Sequence, residues 1–325
     1  MEESMDTGIT RFGRLDAQQI TQNGRQIGGG GEIRYDGTVL PSAGTPTIEH
    51  CKTVVEGVAA SLAERILRHS AVLQIATRQT YVGALTGNEN VPMNGAEVDI
   101  NVFRSYTEAH PVDKIAASVA LMDRLADRIA TQFAAKADFD LLSLYNTFTT
   151  HGTAGTGGVA LTDATHIVTQ AAKLKALGEP IFAILDPLSF ATDSVLADIC
   201  SEALQSDSTA RIDLTHAMVS ATGTPTATVF NIQQWTPVLS RQVSKTGVSP
   251  ITIHNLVACP SALCFASGVQ QPGTSGSTVG AVSTHQGVSA RVYITNTGSG
   301  NQTIIATMFY GVARGIETAG AVVRA

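Results

Sequence analysis

Charge is what this sequence has least of. Of its 325 residues only 15% are Asp, Glu, Lys or Arg, against about 25% in an average soluble domain. A monomer of this size stays dispersed through a well-charged surface. The shortfall therefore points to a surface covered by other subunits or, failing that, to a neutral coat of Ser and Thr. Basic excess is also missing: 21 Lys and Arg against 27 Asp and Glu leave a net charge of -6. That excludes the electrostatic footprint of a chain that grips nucleic acid, although not of one that merely encloses it. Aromatic residues make up 5%, and Trp235 is the single tryptophan, a poor platform for stacking sugars or bases. No apolar run reaches the roughly eighteen residues needed to span a bilayer. The opening MEESMDTG is acidic and polar, unlike a signal peptide. A soluble intracellular product is expected, with no membrane partner. Of the four cysteines (Cys51, Cys200, Cys259, Cys264) only the last two are close, and no ligand stands at zinc spacing around them. Buried free thiols are predicted.

Catalytic patterns are missing as well. The eight histidines show no His-x-x-x-His or His-Glu-x-x-His spacing, so no metal site is expected. Lys245-Thr246-Gly247 matches one element of the penicillin-recognising serine enzymes, but their Ser-x-x-Lys element is absent, as is a Gly-x-Ser-x-Gly elbow. Asp138 and Asp140 stand two apart in a helical pattern and point to different sides. No catalytic residue and no cofactor are predicted, and the chain reads as a non-enzyme. A carboxylate pair assembled by tertiary contact stays open, and with it an unrecognised α/β hydrolase.

What is there falls into segments. Residues 1 to 46 hold nine glycines, including Gly28 to Gly31, and no apolar period. Such a segment cannot offset its ordering entropy by self-burial. Residues 47 to 76 read as a helix on Val54, Val58, Leu62 and Ile66. Its start lies either at a Thr53/Glu56 capping box or nearer Thr47. Residues 77 to 111 read as a long hairpin. Tyr81 and Leu85 lie on one arm, Val98, Ile100 and Val102 on the other, and Gly87, Asn88, Asn90, Pro92, Met93, Asn94 and Gly95 form the tip. With so few apolar residues it should rest on something else.

The strongest local signal follows. Leu121, Leu125, Ile129, Phe133, Ala137, Leu141 and Tyr145 recur every fourth residue after the candidate N-cap Ser118, predicting a spine helix of about 28 residues and about 42 Å. Further along, residues 163 to 177 and 188 to 204 read as helices, the latter on Phe190, Val195, Leu196, Ile199 and Leu204. Strands are expected at 180 to 187, 226 to 232, 251 to 257 and 262 to 267. From Leu214 to Ala290 the only formal charges are Arg241 and Lys245, which suggests a region wedged between like copies or a β-rich region with a hydroxylated surface. Strands at 291 to 295, 303 to 309 and 321 to 325 close the chain.

In this order the segments resemble the Hong Kong 97-like capsid fold. EAHPVDKIAASVALMDRLADRIATQFAAKADFDLLSLYN looks like that family's entry into its spine helix, and AILDPLSFATDS like the strand and Pro-containing turn that open its axial domain. VACPSALCFAS and MFYGVARGIETAGAVVRA look like its late strands. The resemblance covers the whole chain and implies an α+β fold. It divides into an N-terminal arm (1–46), a helix leading to an extended loop (47–76), the extended loop (77–111), a peripheral domain with the spine helix (112–180), an axial domain (181–290) and C-terminal strands returning to the peripheral domain (291–325).

The function implied is that of a tailed-bacteriophage major capsid protein. It would self-assemble into hexamers and pentamers, form the icosahedral head in the host cytoplasm, and enclose double-stranded DNA without sequence-specific binding. Arm and extended loop would reach over adjacent subunits, the loop through Asn88, Asn90, Pro92, Met93 and Asn94. The spine-helix core would be Leu121, Leu125, Ile129, Phe133, Leu141 and Tyr145. Further partners implied are a separate scaffold or none, a cement or decoration protein, and a portal. Some members cross-link a loop lysine to a neighbour's asparagine; residues 77 to 111 contain no lysine, so that chemistry is not expected. The alternative on the same fold is an encapsulin-like compartment.

Overall fold

A computed structural model describes residues 48–82, 89–93, 96–110, 112–159, 161, 165–190, 235–269, 278–299 and 301–325. The arm 1–46, most of the helix expected at 188–204, the strand expected at 226–232, and Asn88 and Asn94 lie outside the described residues.

Two helices and a sheet make the larger half. Helix α1 (Ile48–His69) buries Val54, Val58, Leu62 and Ile66 completely. It starts beside Thr47, and the Thr53 hydroxyl donates to the Glu49 carbonyl inside the helix, so the Thr53/Glu56 start is corrected. The helix also ends at His69 and not at residue 76, because residues 70–76 turn away around a buried carboxylate described below. After the short helix α2 (Val112–Ala116), the spine helix α3 runs over Val119–Leu142, 24 residues. Ser118 is its N-cap through its carbonyl, which accepts the N–H of Leu121 and Met122 at 3.1 and 3.2 Å; its side chain makes no capping bond. α1 and α3 touch at Gly57, where a Cβ would stand 2.7 Å from the flexible Met122 thioether.

Both helices pack on one face of a six-stranded sheet, ordered β1 (Thr77–Tyr81), β10 (Leu263–Gly268), β13 (Asn301–Arg314), β12 (Val288–Ser299), β11 (Thr278–His285), with β4 (Val102–His110) also paired to β13. The long strand β13 organises it, meeting β4 along 302–310 and β10 along 310–314. Its side chains alternate as a half-covered sheet requires. Ile304, Ala306, Met308 and Tyr310 are buried against the helices, whereas Thr303, Ile305 and Phe309 on the other face are half-buried; Thr307, between them on that face, breaks the pattern at 2% exposure.

A second sheet runs β5 (Thr153–Gly155), β14 (Gly320–Arg324), β9 (Thr252–Ala258), β6 (Ile181–Leu185), β7 (Trp235–Leu239), with β8 (Lys245–Thr246) on β9. Helix α4 (Thr165–Leu174) packs against it. Pro237 is tolerated because β7 ends the ladder among the described residues. The sheets cross the boundaries expected at 180 and 290. β10 and β11 belong to the first sheet, and β5 and β14 to the second, because hydrogen-bond partners here are chosen across the chain.

The expected single hairpin over 77–111 is also corrected. β1 and β4 are members of the first sheet; only β2 (Glu89–Met93) and β3 (Ala96–Ile100) form a separate hairpin. Residues 89–93, expected in the tip, are one of its arms. It rests on its own chain: Val98 and Ile100 are fully buried against Cys264 and Ala266.

Candidate functional site

The expected spine-helix core divides. Leu125, Ile129, Phe133 and Leu141 are buried on the face that meets α1 and the first sheet. Leu121 is 41% exposed, a correction with a geometric cause. A row of every fourth residue advances about 40° around the axis per step, so one row cannot stay inward over five steps, and Met122 takes the inward place at this end. Tyr145 lies past the helix end in a 3-10 turn (Ser143–Thr147), half-buried, its ring stacked on His254 at 4.2 Å and 15°. Of the expected loop-tip residues, Asn90, Pro92 and Met93 stand on β2 opposite Asp99, Glu97 and Ala96.

Three polar anchors absent from the sequence expectations tie the elements together. Asp138, on the buried side of α3, accepts a hydrogen bond from the Ser70 hydroxyl and from the N–H of Ala71 (3.0 Å) and Val72 (3.2 Å). Ser70 Oγ in turn accepts the N–H of Leu73 at 2.8 Å. Burial pushes the Asp138 carboxyl up to about 6, and those four residues' bonds oppose the rise. Asp140 faces the other way. The Arg104 guanidinium on β4 donates to both its oxygens (3.0 and 2.8 Å), and the fully buried Tyr310 hydroxyl on β13 donates to Oδ2 at 2.5 Å. Bonding to Asp140 holds Arg104 firmly charged, and burial pushes the Tyr310 phenol up.

The third anchor absorbs the Lys-Thr-Gly match. Lys245 Nζ lies 2.8 Å from Oδ2 of Asp186, which is itself 1% exposed. Asp186 Oδ1 accepts the N–H of Leu188 at 2.8 Å, opening the turn after β6, and its own N–H donates to Asn255 Oδ1 at 2.8 Å. Asn255 Nδ2 donates to Ser189 Oγ at 3.0 Å. Lys245 thus neutralises a buried carboxylate within a bonded network.

Cys51 is buried and its Sγ donates to Gln302 Oε1 at 3.5 Å; Cys259 and Cys264 are buried free thiols, and burial pushes the Cys259 thiol up to about 12 and raises Cys264, away from thiolate reactivity. Among the described residues no cluster of three His, Cys, Asp or Glu could hold a metal ion, and no helix is long and apolar enough to cross a membrane. Apolar surface is nonetheless left open. Phe103 on the outer face of β4 is 56% exposed and Val248 beyond β8 is 94% exposed; Val119, Phe139, Val159, Leu188, Leu239 and Ile251 are also exposed. Single exposed apolar residues are ordinary, but with so little charge between them they offer contact area at low desolvation cost.

No family model matches the chain, and no curated protein matches it in sequence. Among solved structures it is similar to one of Mycobacterium phage Che8 (16% identity, TM-score 0.42, covering 70% of this chain and 72% of that one). It is similar to the capsid of Ralstonia phage GP4 (13% identity, TM-score 0.41, covering 74% and 80%). It is also similar to the SrpI encapsulin complex from Synechococcus elongatus (11% identity, TM-score 0.44, covering 86% and 90%). None of these scores reaches 0.5, and the functional reading rests on the chain's own residues.

Proposed function

We propose that this chain is a shell-forming structural protein, the major capsid protein of a tailed bacteriophage. Copies associate into hexamers and pentamers, close an icosahedral head in the host cytoplasm, and enclose double-stranded DNA without reading its sequence. The observation that carries the reading is one half-covered sheet. Among the described residues its inner face is filled by α1 and α3, while its outer face carries the two-stranded β2–β3 hairpin and leaves Phe103 open. A monomer's half-covered antiparallel sheet commonly turns polar side chains to water on its open face; here Phe103 stands there 56% exposed. Here the chain has few charges to spare, and Lys245, one of two charges between Leu214 and Ala290, is neutralised by Asp186.

In this reading α1, α3 and the first sheet form the peripheral domain, and the second sheet belongs to the axial domain whose copies meet around the symmetry axes. Residues 1–46, too rich in glycine to build a core, lie across a neighbouring copy. A separate scaffold or none, a cement or decoration protein and a portal are the further partners this reading implies. The mildly acidic net charge of -6 suits a wall that DNA slides along. Sedimentation of the purified chain tests the reading. Assemblies of many copies are expected, and a chain that stays monomeric or dimeric at every concentration and salt overturns it.

A further inference from the structure

The spine helix hands the chain to the second sheet through the 3-10 turn Ser143–Thr147, and one buried ring receives it there. Tyr145 stacks on His254 of β9, with ring centroids 4.2 Å apart and 15° between the planes. Beside it the Ser244 hydroxyl donates to the Leu142 carbonyl at the helix end, at 3.2 Å. His254 is 5% exposed. Its Nε2 shares a hydrogen bond of 2.7 Å with the Thr246 hydroxyl, and its Nδ1 is buried with no hydrogen-bond partner among the described residues. A neutral imidazole suits such a seat, since its one proton can sit on Nε2 and go to Thr246. A second proton would sit on Nδ1, where it finds no acceptor and makes the ring a buried, half-bonded cation.

The charges around the ring do not offset that cost. Arg324 on β14 stands directly opposite His254 in the ladder and brings a second cation to the same side of the sheet. Lys245 on β8 and Asp186 beyond β6 neutralise each other at 2.8 Å. Strand β6 and the rest of β9 carry no ionisable residue. On α4, which also packs on β9, His166 is exposed and Lys173 donates to the His151 carbonyl at 2.9 Å. The last carboxylates of the spine helix, Asp138 and Asp140, are held by Ser70 and Arg104. Burial first, and then Arg324, hold the imidazole below its ordinary range.

We propose that His254 is a proton-operated seat for the end of the spine helix. Neutral, the ring holds Tyr145 on the second sheet; on gaining a proton it leaves the seat for water, and the turn Ser143–Thr147 is released with it. The two sheets stay joined, because the ribbon of β9–β10 and β13–β14 that runs through both is closed by backbone bonds. The Cys259 N–H donates to the Ala319 carbonyl and the Gly315 N–H to the Ala262 carbonyl, each at 2.8 Å. A histidine whose folded form resists the proton contributes fully above its unfolded pKa, and the contribution is lost as pH falls from there toward the folded value. The seat is therefore closed at neutral pH and opens in mild acid. It belongs to the folded subunit and works with or without a shell.

Hydrogen exchange of the full chain as unassembled subunits, expressed as protection factors at pH 7 and pH 5, tests this. Residues 143–148 of the unmodified chain are expected to lose protection on acidification, by up to about tenfold per pH unit, the limit for one proton. Residues 301–314 of β13 keep theirs. His254→Phe retains a ring for Tyr145 and has no proton to gain, so it is expected to hold its protection at both pH values. Arg324→Gln, a change at an exposed residue, removes the facing cation and is expected to move the midpoint of the loss to higher pH. This second variant decides the matter should the phenylalanine fail to fold. Unchanged protection at 143–148 in the unmodified chain, the same loss in His254→Phe, or a midpoint that Arg324→Gln leaves in place overturns the seat.

Discussion

Asp138 in the spine helix grips Ser70 at the far end of α1, across 68 positions of sequence, and so fixes where the chain turns from the helix layer toward the first sheet. The N–H groups of Ala71 and Val72 complete the grip, and the carboxylate is 4% exposed. Its carboxyl is raised from an ordinary 3.8 to about 6 by burial. The folded state thus holds this proton more tightly than the unfolded chain does. The favourable contribution is full below 3.8 and is lost as pH rises through 6, reaching a cost of about 3 kcal/mol at neutral pH. Relative to Asp138→Asn, which carries no charge at any pH, the unmodified subunit is expected to gain stability as pH falls from 7 to 5. Denaturant unfolding of unassembled subunits at both pH values measures this, and parallel profiles for the two proteins contradict it.

Tyr310 joins the first sheet to the spine helix through Asp140, with Arg104 bonded to the same carboxylate. Tyr310→Phe keeps the ring, which stacks on Phe265 at 5.4 Å, and removes only the donor. A loss of about 1.5–3 kcal/mol is expected, the range for a hydrogen bond to a charged group. A thermal shift indistinguishable from zero would show that Arg104 alone satisfies the carboxylate.

Lys245→Met leaves the Asp186 carboxylate buried without its cation. Removing one partner of a fully buried pair costs about 3–5 kcal/mol. The Lys245 side chain keeps 34% of its exposure, so the expected loss is smaller, about 1–3 kcal/mol by comparison with exposed pairs. Adding Asp186→Asn is expected to recover part of it, and a double-mutant cycle reads the coupling directly.

Leu125 and Leu121 look equivalent in the fourfold repeat, yet one is 5% and the other 41% exposed. Leu125→Asp buries an unpaired charge and is expected to abolish soluble, folded subunits. Leu121→Asp is expected to cost no more than about 1 kcal/mol, as surface changes do. Equal yields of folded protein from both variants contradict the placement of the helix faces.

The spine helix was legible because period and length agreed over many turns, and Leu125, Ile129, Phe133 and Leu141 could be named from the repeat alone. Its ends were not, since Tyr145 continues the repeat into a 3-10 turn where stacking on His254 holds it instead. The hairpin was mislocated because turn-forming residues are spread over 87–95. The described strand pairing runs from Glu89 opposite Ile100 to Met93 opposite Ala96, so residues 89–93, though rich in turn formers, are an arm. Asp138 and Asp186 left no local mark: their partners, Ser70 and Lys245, lie about sixty or more positions away, and nothing in a helix or strand period registers such distances. The sheet boundaries escaped for the same reason, β14 finding β9 and β5 rather than the strands beside it in sequence.

Electron microscopy of the purified full-length chain, expressed alone and together with the products of its genomic neighbours, tests the central claim most directly. The account predicts closed shells or rings of five and six subunits. Small dispersed particles under every condition would contradict it and return attention to the buried carboxylates as chemistry rather than anchors.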